Sequence, residues 1–228
     1  MAEVPATKAR PVAFRGAGFE PRVRRAAPWI AFAVILAGWQ AASASGLLPE
    51  LFMPSPLQVL AALKALVLSG TLARHVGWSL QRILLGWSLG TLAGLGAGLG
   101  MGIYSLARAI GIPVVSALFP IPKIALLPLF ILWFGIGEPA KVATIAFGVF
   151  FPTVVSAYSA VDGVPRSLIR MAQSFGVPPA QIVRKVILPA AMPGILAGFR
   201  ISSSIALILV VAAEMIGAQY GIGAFVLA

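Results

Sequence analysis

The sequence predicts an all-α protein, a polytopic bundle of membrane-spanning helices. Three observations carry that expectation. The 228 residues are 60% hydrophobic and only 10% charged, whereas a soluble domain is nearer half apolar and a quarter charged. Mean hydropathy is +0.99. The apolar residues also fall in runs of the roughly 20 residues that a helix needs to cross a bilayer. Cysteine is absent, which excludes disulfides and thiolate metal sites. The formal charge of +11 does not form the basic stripe with interleaved aromatics expected of a nucleic-acid binder. In a membrane chain it indicates cytoplasmic segments rich in Lys and Arg.

Taken in order, residues 1–26 carry Lys8, Arg10, Arg15, Arg22, Arg24 and Arg25 among scattered Pro and Gly, and read as a disordered basic tail on the cytoplasmic side. The remainder, 27–228, reads as one transmembrane domain. Residues 29–48 form the first span; the run is too long for a signal-peptide core, so Ala42-Ser43-Ala44 is not read as a cleavage site. Between 49 and 76, Pro54 and Pro56 make a turn. Leu57, Leu60, Ala61 and Leu68 then predict a short amphipathic helix on the outer surface. His75, the single histidine, reads as a polar loop residue.

The second span covers 78–104. Gly86, Gly90, Gly94, Gly98 and Gly102 recur at every fourth residue and so share one helix face, where a neighbouring backbone can approach closely. A turn with Arg108 leads to a third span, 110–134, broken by Pro113, Pro120, Pro122 and Pro128. Prolines remove backbone donors and kink helices, and the freed carbonyls must be satisfied by protein or water. GIGEPAK (135–141) forms an outer turn, and the fourth and fifth spans cover 142–161 and 193–213. On this layout eleven of the seventeen Lys and Arg lie in cytoplasmic segments. Four lie outside: Lys64, Arg74, Arg82 and Lys141. The bias is positive-inside. Trp29, Trp78 and Trp133 fall near span ends, where interfacial aromatics belong.

The cytoplasmic loop 162–191 is longer than a connection requires, and extra ordered length in a compact chain tends to be functional. Leu168, Ile169, Ala172 and Phe175 predict a helix begun by Pro165 and closed by Gly176 in a left-handed C′ conformation. Pro178 and Pro179 start a second helix with Ile182, Val183, Val186 and Ile187, and Pro189 and Pro193 break it before the fifth span. The apolar residues are expected to pack against the membrane helices, with the basic ones facing the cytosol.

This stretch resembles the EAA loop of permease subunits of bacterial ABC importers, whose pattern is E-A-A, three residues, G, nine residues, I-x-L-P. Arg170, Met171 and Ala172 align with E-A-A, then Gly176, then Val186-Ile187-Leu188-Pro189. Arg170 replaces the glutamate and Met171 an alanine. PIPKIALLPLFILWFGIGE (120–138), FFPTVVSAYSAVDGVP (150–165), LPAAMPGILAGFRIS (188–202) and VVAAEMIGAQYGIG (210–223) resemble the nitrate/sulfonate/taurine/bicarbonate branch. The resemblance implies a type I importer permease. It implies that Arg170, Met171, Ala172, Gly176, Pro178, Pro179, Leu188 and Pro189 couple to an ATPase. It also implies two ATPase subunits that bind ATP and Mg, a second permease copy, an external solute-binding protein, and a place in the bacterial inner membrane. Family members continue through one more span, so the family's last span, a helix of about 20 residues, is expected to be absent from these 228 residues.

Three residues are candidates for the translocation path. Lys123 lies about 13 residues, or roughly 20 Å, into the third span. A charge at that depth marks a pathway or a paired site, and it would attract an anionic solute; the alternative is a lysine bound to carbonyl oxygens or snorkelling to an interface. Ser203, in the run Ser202-Ser203-Ser204, lines the pore or bonds to the preceding turn. Glu214 contacts solute, pairs with a cation such as Arg82, or is solvated. Arg200 reads as an anchor for the loop.

No phosphate-binding glycine loop, metal-ligand cluster or nucleophile–base pair is present. The expectation is therefore a non-catalytic permease that binds no cofactor itself and carries a small anion. A neutral or cationic nutrient such as a vitamin precursor is the alternative solute. A secondary transporter or channel, which also uses broken spans and buried charge, and a polytopic membrane enzyme are the alternative classes.

Overall fold

The computed structural model describes residues 26–47, 49 and 52–227. The basic tail expected over 1–26 lies, but for Ala26, outside the described residues. The described chain is helical, with no strand among those residues, and divides into two units at Leu68.

The first unit holds α1 (Ala27–Ala44) and α2 (Pro56–Leu68). Pro28 sits in the first turn of α1, where a missing N–H costs nothing. The start of α2 is a capping box: the Ser55 N–H donates to Gln58 Oε1 at 2.7 Å and the Gln58 N–H to Ser55 Oγ at 3.3 Å, satisfying two orphan donors reciprocally. The only polar side chains of α2 are Gln58 and Lys64, and none of its residues is buried. The expected helix is present, but it is apolar around most of its circumference.

The second unit contains the long helices α3 (Thr71–Ile103), α6 (Glu138–Asp162) and α9 (Leu188–Glu214). Helix α3 starts seven residues before the expected span, so His75 lies on a helix and not in a loop. Helix α6 lies between α3 and α9, parallel to α3 and antiparallel to α9. The expected glycine face is the α3–α6 contact. A Cβ at Gly86 would stand 2.6 Å from Ile145 Cβ, at Gly90 2.2 Å from the Ala146 carbonyl oxygen, at Gly94 2.7 Å from that of Phe150, and at Gly98 2.6 Å from that of Val154. Gly102 meets Val161 in the same way. Gly148, Gly194 and Gly198 allow the matching approach of α6 and α9, against Leu209, Ala160 and Ser156. Small residues let helix backbones come together where lipid supplies no hydrophobic drive. Ile145, Val149, Ala206, Leu209 and Val210 fill the centre of the contact.

The broken span is α4 (Ser105–Leu118) and α5 (Leu127–Phe134), bent by 88° and joined through a 3₁₀ turn at Lys123–Leu126. Arg108 lies within α4 and not in a turn, since the chain reverses at Tyr104 alone, in extended conformation. Counting the bent pair as one, five segments among the described residues are long and apolar enough to cross a membrane. Two expectations about charge and breaks need correction. Arg82 and Lys141, assigned to outer segments, are 2% and 3% exposed, because α3 and α6 extend further than the apolar runs suggest. The break before the fifth span is also absent. Helix α8 (Pro179–Ile182) continues into α9 through a π turn at Val183–Ile187, in which the Leu188 N–H donates to the Val183 carbonyl. That i→i+5 register carries the helix into Pro189, and Pro193 lies inside α9.

Candidate functional site

Two places in the second unit gather polar chemistry, one at each end of α6. The first is the elbow formed by α7 (Arg166–Ser174) and α8. Helix α7 ends in a Schellman motif: the Gly176 N–H donates to the Gln173 carbonyl at 2.9 Å and the Val177 N–H to that of Ala172 at 3.1 Å. Gly176 has φ +70°, a region glycine enters without a Cβ penalty, so the expected C′ glycine is where the sequence places it. Pro178 then adopts extended geometry and Pro179 opens α8.

Which face of α7 points inward differs from expectation. Ala172 and Ile182 are buried, at 8% and 4% exposure, and Ile169 packs with Val161, Val164, Ala191 and Ile195. Leu168, Met171 and Phe175 point outward, Phe175 at 80% exposure. The elbow therefore presents exposed apolar side chains, and Arg166, Arg170 and Arg184 on the same stretch are exposed too. Gly176, Pro178 and Pro179 line a groove of about 720 Å³ against Gly102, Tyr104 and Asp162. The elbow is tied to the bundle through Asp162, which accepts from Arg108 at 3.0 Å and Arg166 at 3.4 Å, while Arg108 also donates to the Tyr158 hydroxyl. Leu188 is partly buried and Pro189 exposed at the start of α9.

The second place is a charged cluster joining α3, α6 and α9 at the opposite end. The Arg82 guanidinium grips Glu138 through both carboxylate oxygens (Nη2 to Oε1 at 2.7 Å), and its Nη1 donates to Glu214 Oε1 and the Tyr220 carbonyl, each at 2.6 Å. Glu214, 1% exposed, also accepts from Ser79 Oγ at 2.8 Å and the Gly223 N–H at 2.9 Å. The Ile222 N–H donates to Ser79 Oγ, and His75 Nδ1 lies 2.8 Å from the Gly221 carbonyl oxygen. These contacts pin the 215–221 turn and the start of α10 (Ile222–Leu227) onto α3. Of the three environments open to Glu214 from sequence, pairing with Arg82 is the one present. Spacing alone does not mark Lys141 as a site residue, because its burial depends on α6 beginning at Glu138.

The other two candidates are held by carbonyls. Lys123 Nζ lies 2.9, 2.7 and 2.7 Å from the carbonyl oxygens of Leu118, Phe119 and Ile121 and 4.8 Å from the centre of the Phe151 ring. Three donors thus meet three carbonyls at the break, of which that of Leu118 also accepts from the Ile121 N–H at 3.3 Å. Ser203 Oγ donates to the Phe199 carbonyl at 2.8 Å. Its neighbour Ser202, fully buried, donates to the same carbonyl and accepts from Trp87 Nε1 at 2.9 Å. Arg200 lies on α9, away from the elbow loop in sequence and exposed. Among the described residues no group of three His, Cys, Asp or Glu is placed to hold a metal.

Residues 90–228 match the family model of the binding-protein-dependent transport system inner membrane component. The taurine transport system permease protein TauC of Escherichia coli is 39% identical, over 84% of this chain and 71% of its own length. The putative aliphatic sulfonates transport permease protein SsuC of Bacillus subtilis is 38% identical, over 84% and 69%. Among solved structures, the inward-facing MetNI methionine ABC transporter superposes with a TM-score of 0.59 at 26% identity, over 67% of this chain and 77% of that one.

Proposed function

The chain belongs to the family of binding-protein-dependent transport inner membrane components, the multi-pass permeases of ABC importers, and on that premise we propose that it carries a small organic anion of the sulfonate class and is driven by a separate ATPase. The observation that carries the coupling half of this reading is the elbow. Exposed Met171 and Phe175, on a segment that also exposes Arg166, Arg170 and Arg184 and is braced to α4 and α6 through Asp162, suit docking into a partner. Exposed apolar side chains set in a polar rim mark interaction surfaces. A rigid Schellman turn behind them transmits a push to α9, since α8 and α9 are continuous.

In this reading Arg170, Met171, Gly176, Pro178 and Pro179 contact the ATPase groove or shape the elbow that enters it. Ala172 seats the elbow on the bundle, and Leu188 and Pro189 pass the motion to α9. ATP and Mg bind to two partner ATPase subunits. Two permease copies enclose the path, an external binding protein delivers solute, and the N-terminus and elbow face the cytoplasm. The names of the taurine and sulfonate permeases support the anion class. Lys123 borders the path where the span breaks, with Ser203 on α9 and Glu214 in the outer closure.

The test is uptake of radiolabelled taurine and ethanesulfonate by vesicles holding the permease with its ATPase and binding protein. The expected result is ATP-dependent, saturable accumulation of a sulfonate. Accumulation only of a nutrient that lacks a sulfonate or other oxyanion group would overturn the solute class, and uptake without ATP would overturn the importer mechanism.

A further inference from the structure

The charged cluster opens onto a cleft of about 350 Å³, lined among others by Trp78, Arg82, Gly137, Glu138, Lys141 and Tyr220. Its two cations differ. Arg82 is fully engaged by Glu138, Glu214 and the Tyr220 carbonyl. Lys141 is 3% exposed, yet its ammonium reaches only the Gly137 carbonyl oxygen at 3.4 Å and Glu138 Oε1 at 3.8 Å. A charge-assisted N–H···O bond is near 2.7–2.9 Å, and an ammonium has three donors. Glu138 cannot close on Lys141 because Arg82 holds both of its oxygens. The result is a buried cation on a cavity wall with donor capacity left over. The same wall is the N-terminus of α6, where no side chain caps the first N–H groups, which adds the positive end of the helix dipole. Trp78 and Tyr220, stacked at 6.3 Å, supply aromatic lining to the cleft, with Arg82 over the Trp78 ring and Arg74 over that of Tyr220.

We propose that this cleft receives the oxyanion headgroup of a small sulfonate or carboxylate, held by Lys141 and the first turn of α6, with its carbon skeleton against Trp78 and Tyr220. The ligand class rests on the importer reading above; the cleft itself does not involve the elbow. The titratable and charged groups around it are Arg82 and Lys141, Glu138 at the rim and Glu214 behind Arg82, with Arg74 and His75 against Tyr220. Glu138 has 45% side-chain exposure, and its remaining field favours a monoanion over a dianion such as sulfate.

The experiment is titration of the full-length permease alone, in phosphatidylcholine nanodiscs, with ethanesulfonate, acetate, sulfate and neutral ethanol, read by ligand-observed NMR. Saturable binding of ethanesulfonate or acetate, weaker binding of sulfate and none of ethanol are expected. Lys141→Met should lower affinity at least about tenfold, the loss of one charged hydrogen bond, and Lys141→Arg should retain most of it. Because Lys141 is buried, the exposed rim residue Gln219 supplies variants that leave the fold intact: Gln219→Glu should weaken binding and Gln219→Lys strengthen it. No saturable binding to the wild-type chain, or binding indifferent to both Lys141 and Gln219, overturns the proposal. Loss of soluble-anion binding when phosphatidylglycerol replaces phosphatidylcholine assigns the cleft to a lipid headgroup and overturns it also. None of these outcomes depends on ATPase attachment, so the cleft can fail while the importer reading stands, and the reverse.

Discussion

Arg82 holds three helices with one guanidinium, and the consequence is a sharp asymmetry between its variants. Arg82→Leu leaves Glu214 buried without its cation, so it should destabilise the protein by about 3–5 kcal/mol, seen as a fall in the thermal midpoint in detergent. Adding Glu214→Leu removes the stranded charge and should recover part of the loss; a double variant no better than the single one would contradict the pairing. Lys123 behaves differently, since its acceptors are carbonyls that exist because the span is broken. Lys123→Met should therefore lower stability by about 1–3 kcal/mol, measured in the same way, even where sulfonate uptake persists. The sequence makes Lys123's depth legible, and names Arg82 as a possible partner of Glu214, because both follow from spacing. It offers carbonyl binding as one environment for Lys123, but not which carbonyls, since that depends on the 88° bend, and it conceals Lys141, which depends on where α6 starts.

At the scale of elements, glycine and proline do most of the work, and they were legible to different degrees. The glycine face of α3 follows from a period of four and is present as expected. Gly90→Val would drive a side chain into the Ala146 carbonyl, a backbone atom that cannot rotate away. A cost of about 3 kcal/mol, at the top of the range for overpacking, is expected, with α3 and α6 forced apart; cysteine cross-linking between the two helices should report it. Proline was less informative. Pro120 and Pro122 do mark a break, but Pro189 and Pro193 do not, because a π turn shifts the hydrogen-bond register ahead of Pro189. Likewise, periodicity located α7 without saying which face is buried. Leu168 and Phe175 satisfy the same spacing as Ala172, and only the packing against α6 and α9 distinguishes them. At the hinge of the elbow, Gly176→Pro cannot adopt φ +70°, so it should abolish solute-stimulated ATP hydrolysis while membrane insertion is unchanged.

Across the whole second unit, α6 runs parallel to α3 and antiparallel to α9 and connects two ends of opposite character. One end is the elbow with its exposed apolar side chains; the other is the Arg82 cluster with its cleft. A rigid, glycine-packed trio is suited to relay force between them, because packed cores shift between discrete arrangements and do not deform continuously. The central claim is that the elbow is the point of attachment to an ATPase. The most direct measurement is recovery of a co-purifying ATPase from mild detergent, using the full-length chain, the chain without 165–187, and Phe175→Asp. The account predicts capture by the intact chain, loss with the deletion, and at least roughly tenfold weaker capture by Phe175→Asp, as for a central contact residue. Equal capture by all three, in detergent shown to preserve the complex, would contradict it.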